Sequence, residues 1–233
     1  MTTPLELTFN AEPIPELIVG RDGFEIIRDT VYEILKAEVV SQQAKAVALS
    51  LDPEEWAADV HKERSNPWED YLNDPTNVTP IINVWYDGTN FEKARSNIVE
   101  RQGATATINV DVIAVGYSAD AEGGGQIHGD VQASENVQRM LRLVRNILMA
   151  APYTYLGLRG MVGQRWIEST NVFQPPKDSN AAQSIIGARL VLMVQFNEFS
   201  PQYQTVALEE LGVTITRSET GETIAQADFN YGE

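Results

Sequence analysis

An α+β fold, a mostly antiparallel sheet with helices packed on one face, is predicted by three features of this chain. Two long stretches, 22–50 and 130–151, carry apolar residues at helical spacing. Shorter stretches at 81–86, 103–117, 156–173 and 185–199 alternate or run apolar as strands do. Only one of the helices falls between strands, which leaves most strands joined by turns and loops.

Taken in order, residues 1–20 hold Pro4, Pro13 and Pro15 and few regular signals, and read as an extended arm. The first helix follows. Asp22 is a suitable N-cap, and Phe24, Ile27, Val31, Ile34 and Leu35 mark one face. A second short helix is expected from Asp52, with Pro53 at its first position and Glu54 and Glu55 in its first turn, running to about Arg64. Residues 65–80, with Pro67, Pro75 and Pro80, read as a connecting loop.

Ile81 to Tyr86 reads as a strand ended by Asp87-Gly88. The polar stretch 88–103 reads as a loop, with a helical turn over Glu92 to Val99 as the other choice. In GATATINVDVIAVGY, residues Ile108, Val110, Val112 and Ala114 point one way. Thr105, Thr107, Asn109 and Asp111 point the other, as in a half-buried strand. Glycines 123, 124, 125 and 129 break it. Over 130–151 Asp130 serves as cap, and Val137, Met140, Leu141, Val144, Leu148 and Ala151 form one stripe before Pro152 stops the helix.

Residues 156–173 are strand-like, and 174–180 form a polar loop. Residues 185–199 read as a long central strand, apolar on both faces around Leu190 to Val194, and Val206 to Thr216 as a last strand. The organisation is an arm (1–20), one α+β domain (21–217) with 52–80 as a helical and loop insertion, and a C-terminal tail (218–233).

Composition restricts function. The 233 residues include no cysteine and two histidines, so thiolate metal sites, disulfides and cysteine nucleophiles are excluded. The formal net charge is −16, against phosphate-neutralising binding of nucleic acid. It divides as −10 over residues 1–75, −1 over 76–200 and −5 over 201–233. No basic and apolar leader and no long apolar run suggest secretion or membrane insertion, so a cytoplasmic origin is expected.

Motifs for chemistry are few. There is no GxxxxGK[ST], GxSxG or HExxH. GLRGMVG at 157–163 suits turns and close packing, and GGG at 123–125 suits a loop tip. His61 is expected on a polar helix surface. His128 has Asp130 nearby but no nucleophile to serve. Asp87, Asp111 and Asp120 would have to converge for carboxylate or metal-assisted chemistry, whereas Asp111 fits an outward strand face and Asp87 a turn. The Asn77-Val78-Thr79 sequon has no meaning without secretion. No cofactor and no catalytic or metal residue is expected.

Arg139, Arg142 and Arg145 form the one basic cluster, suited either to solvent or to an acidic patch on a neighbouring subunit. Trp56 and Trp68 stand in an acidic, polar third of the chain, where large rings suit a contact surface or burial against the sheet.

The order of elements carries a resemblance. Strand IINVWYDG, a polar loop, strand GATATINVDVIAVGY, helix ENVQRMLRLVRNILMAAP, a Gly-rich strand region, a loop, the long strand SIIGARLVLMVQFNEF and a final strand follow an opening helix from Asp22 to Ser50. The set resembles tail terminator proteins of long-tailed bacteriophages, also called tail completion or neck proteins. It covers about 140 of the 233 residues plus the opening helix. The acidic segment 52–78 and the tail 218–233 depart from a minimal terminator.

The resemblance implies a non-enzymatic virion protein of the tail or neck, assembled in the host cytoplasm. It implies a homohexameric ring that caps the tail tube, joins it to the head connector, touches tube or sheath proteins, and passes DNA through its channel without specific binding. The alternatives are another neck, connector or tube-like virion protein and, less favoured, a carboxylate-based enzyme.

Overall fold

A computed structural model describes residues 20–74, 76–93, 101–120, 126–175, 183–199, 210–216 and 223–230. The arm, the GGG loop and the stretch 94–100 lie outside them. The chain divides into two compact units, residues 1–199 and 200–233.

The first unit holds helix α1 (Gly23–Ala48), a 3-10 turn (Glu54–Trp56), strand β1 (Asp59–Lys62) and short helix α2 (Glu69–Asn73). There follow β2 (Ile81–Phe91), β3 (Arg101–Tyr117), the two-residue pair β4 (Ala119–Asp120) and β5 (Gln126–Ile127), helix α3 (Gly129–Met149), a second 3-10 turn (Ala151–Tyr153), β6 (Val162–Phe173) and β7 (Gln183–Phe199). The second unit is a hairpin of β8 (Glu210–Thr216) and β9 (Thr223–Asn230), paired antiparallel.

The fold is α+β. Five strands form one mixed sheet in the order β1-β2-β3-β7-β6, antiparallel throughout except for the parallel pair β1–β2. At its centre β3 and β7 pair over 17 residues each, from Arg101↔Phe199 to Tyr117↔Gln183. Strands of about 5–6 residues are usual, so this long ladder is the backbone of the unit.

Alternation along these strands sorts side chains to two faces. Ala104, Ala106, Ile108, Val110 and Val112 of β3 share a face with Leu190, Leu192, Val194 and Phe196 of β7. Onto it pack Ile27, Val31, Leu35 and Val39 of α1 and Met140, Val144, Ile147 and Leu148 of α3. The apolar spacing of both helices therefore buries them on one face, as the sequence predicts. The five-residue α2 lies on the other face, where Tyr71 joins Ile81, Ile113 and Val115.

Local chemistry sets the boundaries. Asp22 is the N-cap of α1, and its amide donates to the Glu25 carboxylate at 3.0 Å. At α3 the cap is His128 rather than Asp130. Asp130 Oδ1 accepts from the Val131 amide, 2.9 Å away, inside the first turn. Gly116 and Gly129 let β3 and α3 cross closely: a Cβ on Gly116 would lie 2.0 Å from the Gly129 carbonyl oxygen. At the other end of α3, Arg165 of β6 donates to the carbonyls of Leu148 (2.7 Å) and Ala150 (2.9 Å), satisfying orphan acceptors.

Four expectations are corrected. The helix expected over 52–64 is one 3-10 turn followed by strand β1. Asp52 Oδ1 caps the Glu54 amide at 3.0 Å, but Ala57 turns extended and Asp59–Lys62 pairs with Ile81–Val84. His61 consequently sits in a strand, opposite Asn83. The 65–80 connection contains α2, anchored where the Tyr71 hydroxyl donates toward the Thr79 (2.7 Å) and Ile113 (3.0 Å) carbonyls. Asp87-Gly88 makes a bulge rather than an end, and β2 continues to Phe91. The last strand is present at β8, and its partner β9 lies inside the segment read as a tail.

Candidate functional site

The sheet face turned away from α1 and α3 carries the one buried charge cluster among the described residues. Asp111, in the middle of β3, is 5% exposed and sits opposite Arg189 of β7 and Asn83 of β2. Arg189 Nε donates to Asp111 Oδ1 at 2.7 Å and its Nη2 to Oδ2 at 2.9 Å. Trp85 Nε1 donates to the same Oδ2 at 2.9 Å. The carboxylate is thus held by a bidentate fork and an indole, the geometry in which a buried anion is tolerated.

The guanidinium lies 4.6 Å from the Trp85 ring centroid and 5.6 Å from that of Phe173. Its side chain is 37% exposed, and the hydrogen bonds to Asp111 raise its pKa further. Beside it opens a cleft of about 490 Å³, walled by Trp68, Trp85, Phe173 and Pro175 and edged by Glu63 and Arg64. Arg64 is itself forked onto Asp70, and its backbone is bridged by the Asn83 side chain.

The expected solvent-facing row of β3 is therefore wrong at two places. Asn109 and Asp111 are both buried, because Trp85 and the segment bearing Trp68 and Tyr71 cover that face. The sequence signal was present but non-local: an acid and a base each interrupt the middle of a long apolar strand, 78 residues apart. Asp111 is committed to Arg189, and Asp87, exposed on the bulge, acts on the same guanidinium through its charge. The side chain of Asp120 lies outside the described residues. Among those described, no group of three or more His, Asp or Glu side chains is placed to hold a metal. No described helix is long and apolar enough to cross a membrane.

A second cluster ties α1 to β1. Asp29 accepts from Lys62 Nζ at 2.8 Å and from Arg28 Nε at 3.0 Å, and pairs with Arg21. Partial burial alone would raise its pKa. The three cations outweigh that and hold it at about 2.

The structure separates the residues proposed for contact. Arg139 is tied within its own chain, 3.5 Å from the Glu55 carboxylate and donating to the Glu55 carbonyl at 3.4 Å. Arg142 and Arg145 are exposed and make no ion pair with any described residue. Trp56 is half-buried against the helix-face core, and Trp68 against the Tyr71 cluster on the opposite face. His61 stands 3.8 Å from Asp70, and exposed His128 caps α3.

No model of a known protein family matches this chain, and a search of curated proteins finds no match either.

Proposed function

We propose that this chain is a structural protein of the tail or neck of a long-tailed phage. Copies assemble in the host cytoplasm into a homohexameric ring. The ring caps the tail tube, meets tube or sheath proteins on one side and the head connector on the other, and lets DNA through its channel. The protein acts by shape and by joining copies, without turnover.

The observation that carries this reading is the order of elements. An opening helix, two long antiparallel strands, a crossing helix and two further antiparallel strands come in the order on which the resemblance rests, with β1 and α2 inserted before them and the last strand paired with β9 in a sheet of its own. Two further features agree with it. A net charge of −16 suits a conduit that repels phosphate, so that DNA slides without being trapped. Among the described residues the most buried carboxylate, Asp111, is neutralised by a bidentate arginine and serves cohesion of the sheet.

Mass photometry over a range of concentrations tests the reading. The expected result is a dominant species at the mass of a hexamer, with no retention of duplex DNA at moderate salt. A chain that remains monomeric at every concentration overturns it.

A further inference from the structure

A ring closed by head-to-tail contacts needs two different surfaces on each subunit, complementary to one another. Two exposed apolar patches of the first unit differ in the charges around them.

The first is the back of α1. Ala37, Val40, Ala44 and Val47 recur at spacings of three and four, and Leu51 continues the series past the helix end. This row lies opposite the buried row of Ile27, Val31, Leu35 and Val39. Val40 is 64% exposed and Val47 62%, and Leu49 and Leu51 are exposed beside them. From Val39 to Leu51 the only charge is Lys45, in a chain with 21% charged residues. Depletion of charge around exposed aliphatic side chains is the composition of an interface core. Arg142 of α3, the neighbouring helix on the same sheet face, lines one cleft with Lys45, Gln42 and Glu38 of α1, and exposed Arg145 follows it on α3.

The second surface is the α2 segment on the opposite sheet face. Leu72 is 41% exposed and Val78 55%, and around them stand the exposed acids Asp59, Glu69 and Asp74. Tyr71 pins this segment to β3, so the patch is rigidly presented. One surface is aliphatic with a cationic flank, the other aliphatic with an acidic flank, and the sheet separates them.

We infer that the α1 back of one copy, with Arg142 and Arg145, docks on the Leu72–Val78 patch of the next. This rests on the ring reading and names the surfaces that close the ring. It replaces Arg139 and Trp56, which are engaged within their own subunit, by Val40, Val47, Leu72 and Val78. A ring of such contacts leaves no unmatched end, because each copy supplies one surface of each kind.

Sedimentation velocity on full-length chains decides the matter. Val40→Glu with Val47→Glu, and separately Leu72→Glu with Val78→Glu, should each weaken assembly at least about tenfold. All four positions are solvent-exposed, so far-UV circular dichroism should stay near wild type, and the urea midpoint should fall only by the stabilisation that assembly itself supplies. Arg142→Glu with Arg145→Glu should weaken assembly as well, and adding Glu69→Lys and Asp74→Lys in the same chain should restore it. A wild-type ring indifferent to both pairs of aliphatic substitutions overturns this docking and leaves the ring standing. Loss with the α1 pair but not with the α2 pair overturns the pairing of these two surfaces. A wild-type chain that never associates overturns ring and docking together.

Discussion

The two faces of the central sheet solve the same problem by different means. Toward α1 and α3 the strands present an unbroken apolar layer, from Ala104 to Val112 on β3 and from Leu190 to Phe196 on β7, and two amphipathic helices cover it. Toward α2 the same strands present Asn109, Asp111 and Arg189, covered by Trp85, Trp68 and Tyr71. The first face is held by area removed from water, and many residues share the load. The second adds to the smaller apolar cluster of Tyr71, Ile81, Ile113 and Val115 a few directed contacts around one carboxylate, where losing a single partner leaves a charge stranded. Apolar cohesion is thus spread along the helix face, and polar cohesion is concentrated at one point on the other.

Substitutions test that contrast. Leu190→Ala, fully buried under the helices, should cost about 2–5 kcal/mol in urea unfolding, through lost burial and a residual cavity. Arg189→Ala, at the adjoining strand position on the opposite face, should cost about 3 kcal/mol, because among the described residues Asp111 then keeps the Trp85 indole alone as hydrogen-bond partner. Asp111→Asn should cost less than Arg189→Ala. The part-exposed guanidinium can be hydrated where the buried carboxylate cannot. Equal losses from the two would contradict the view that the anion is the stranded charge.

The smallest effect belongs to the α1–β1 tie. Asp29 is ordinarily near 3.8 and is held at about 2 in the folded chain. Its contribution is therefore present above the ordinary value and is lost as pH falls from about 4 through 2. Wild type should be more stable than Asp29→Asn by about 1 kcal/mol near neutrality, and the difference should shrink across that acid window. A constant difference from pH 7 to pH 2 would show that the carboxylate charge does not matter.

Most of the helix face was legible in the sequence, because its signal is local. The spacing of Val137, Met140, Val144 and Leu148 identifies α3 without knowledge of what it covers. The long strands β3 and β7 announce themselves by alternation and length. The other face was not legible. Strand β1 is four polar-flanked residues, DVHK, whose extended form is fixed by pairing with β2 and by the Asn83 side chain bridging to Arg64. Asp111 reads as an outward residue until Arg189 is placed opposite it. The back of α1 shows the converse. Its row of Ala37, Val40, Ala44 and Val47 lies off the face marked by Phe24, Ile27, Val31, Ile34 and Leu35, and the structure turns it to solvent. Arg139 is a similar case, since its partner Glu55 lies 84 residues away in the same chain.

On the proposed ring reading, this acidic chain joins copies of itself around an opening. Negative-stain electron microscopy of the concentrated full-length protein tests it most directly. Closed rings with a central hole, viewed end-on as uniform six-fold particles, are the expected result. Fields of single compact particles, or open filaments without closure, would contradict it.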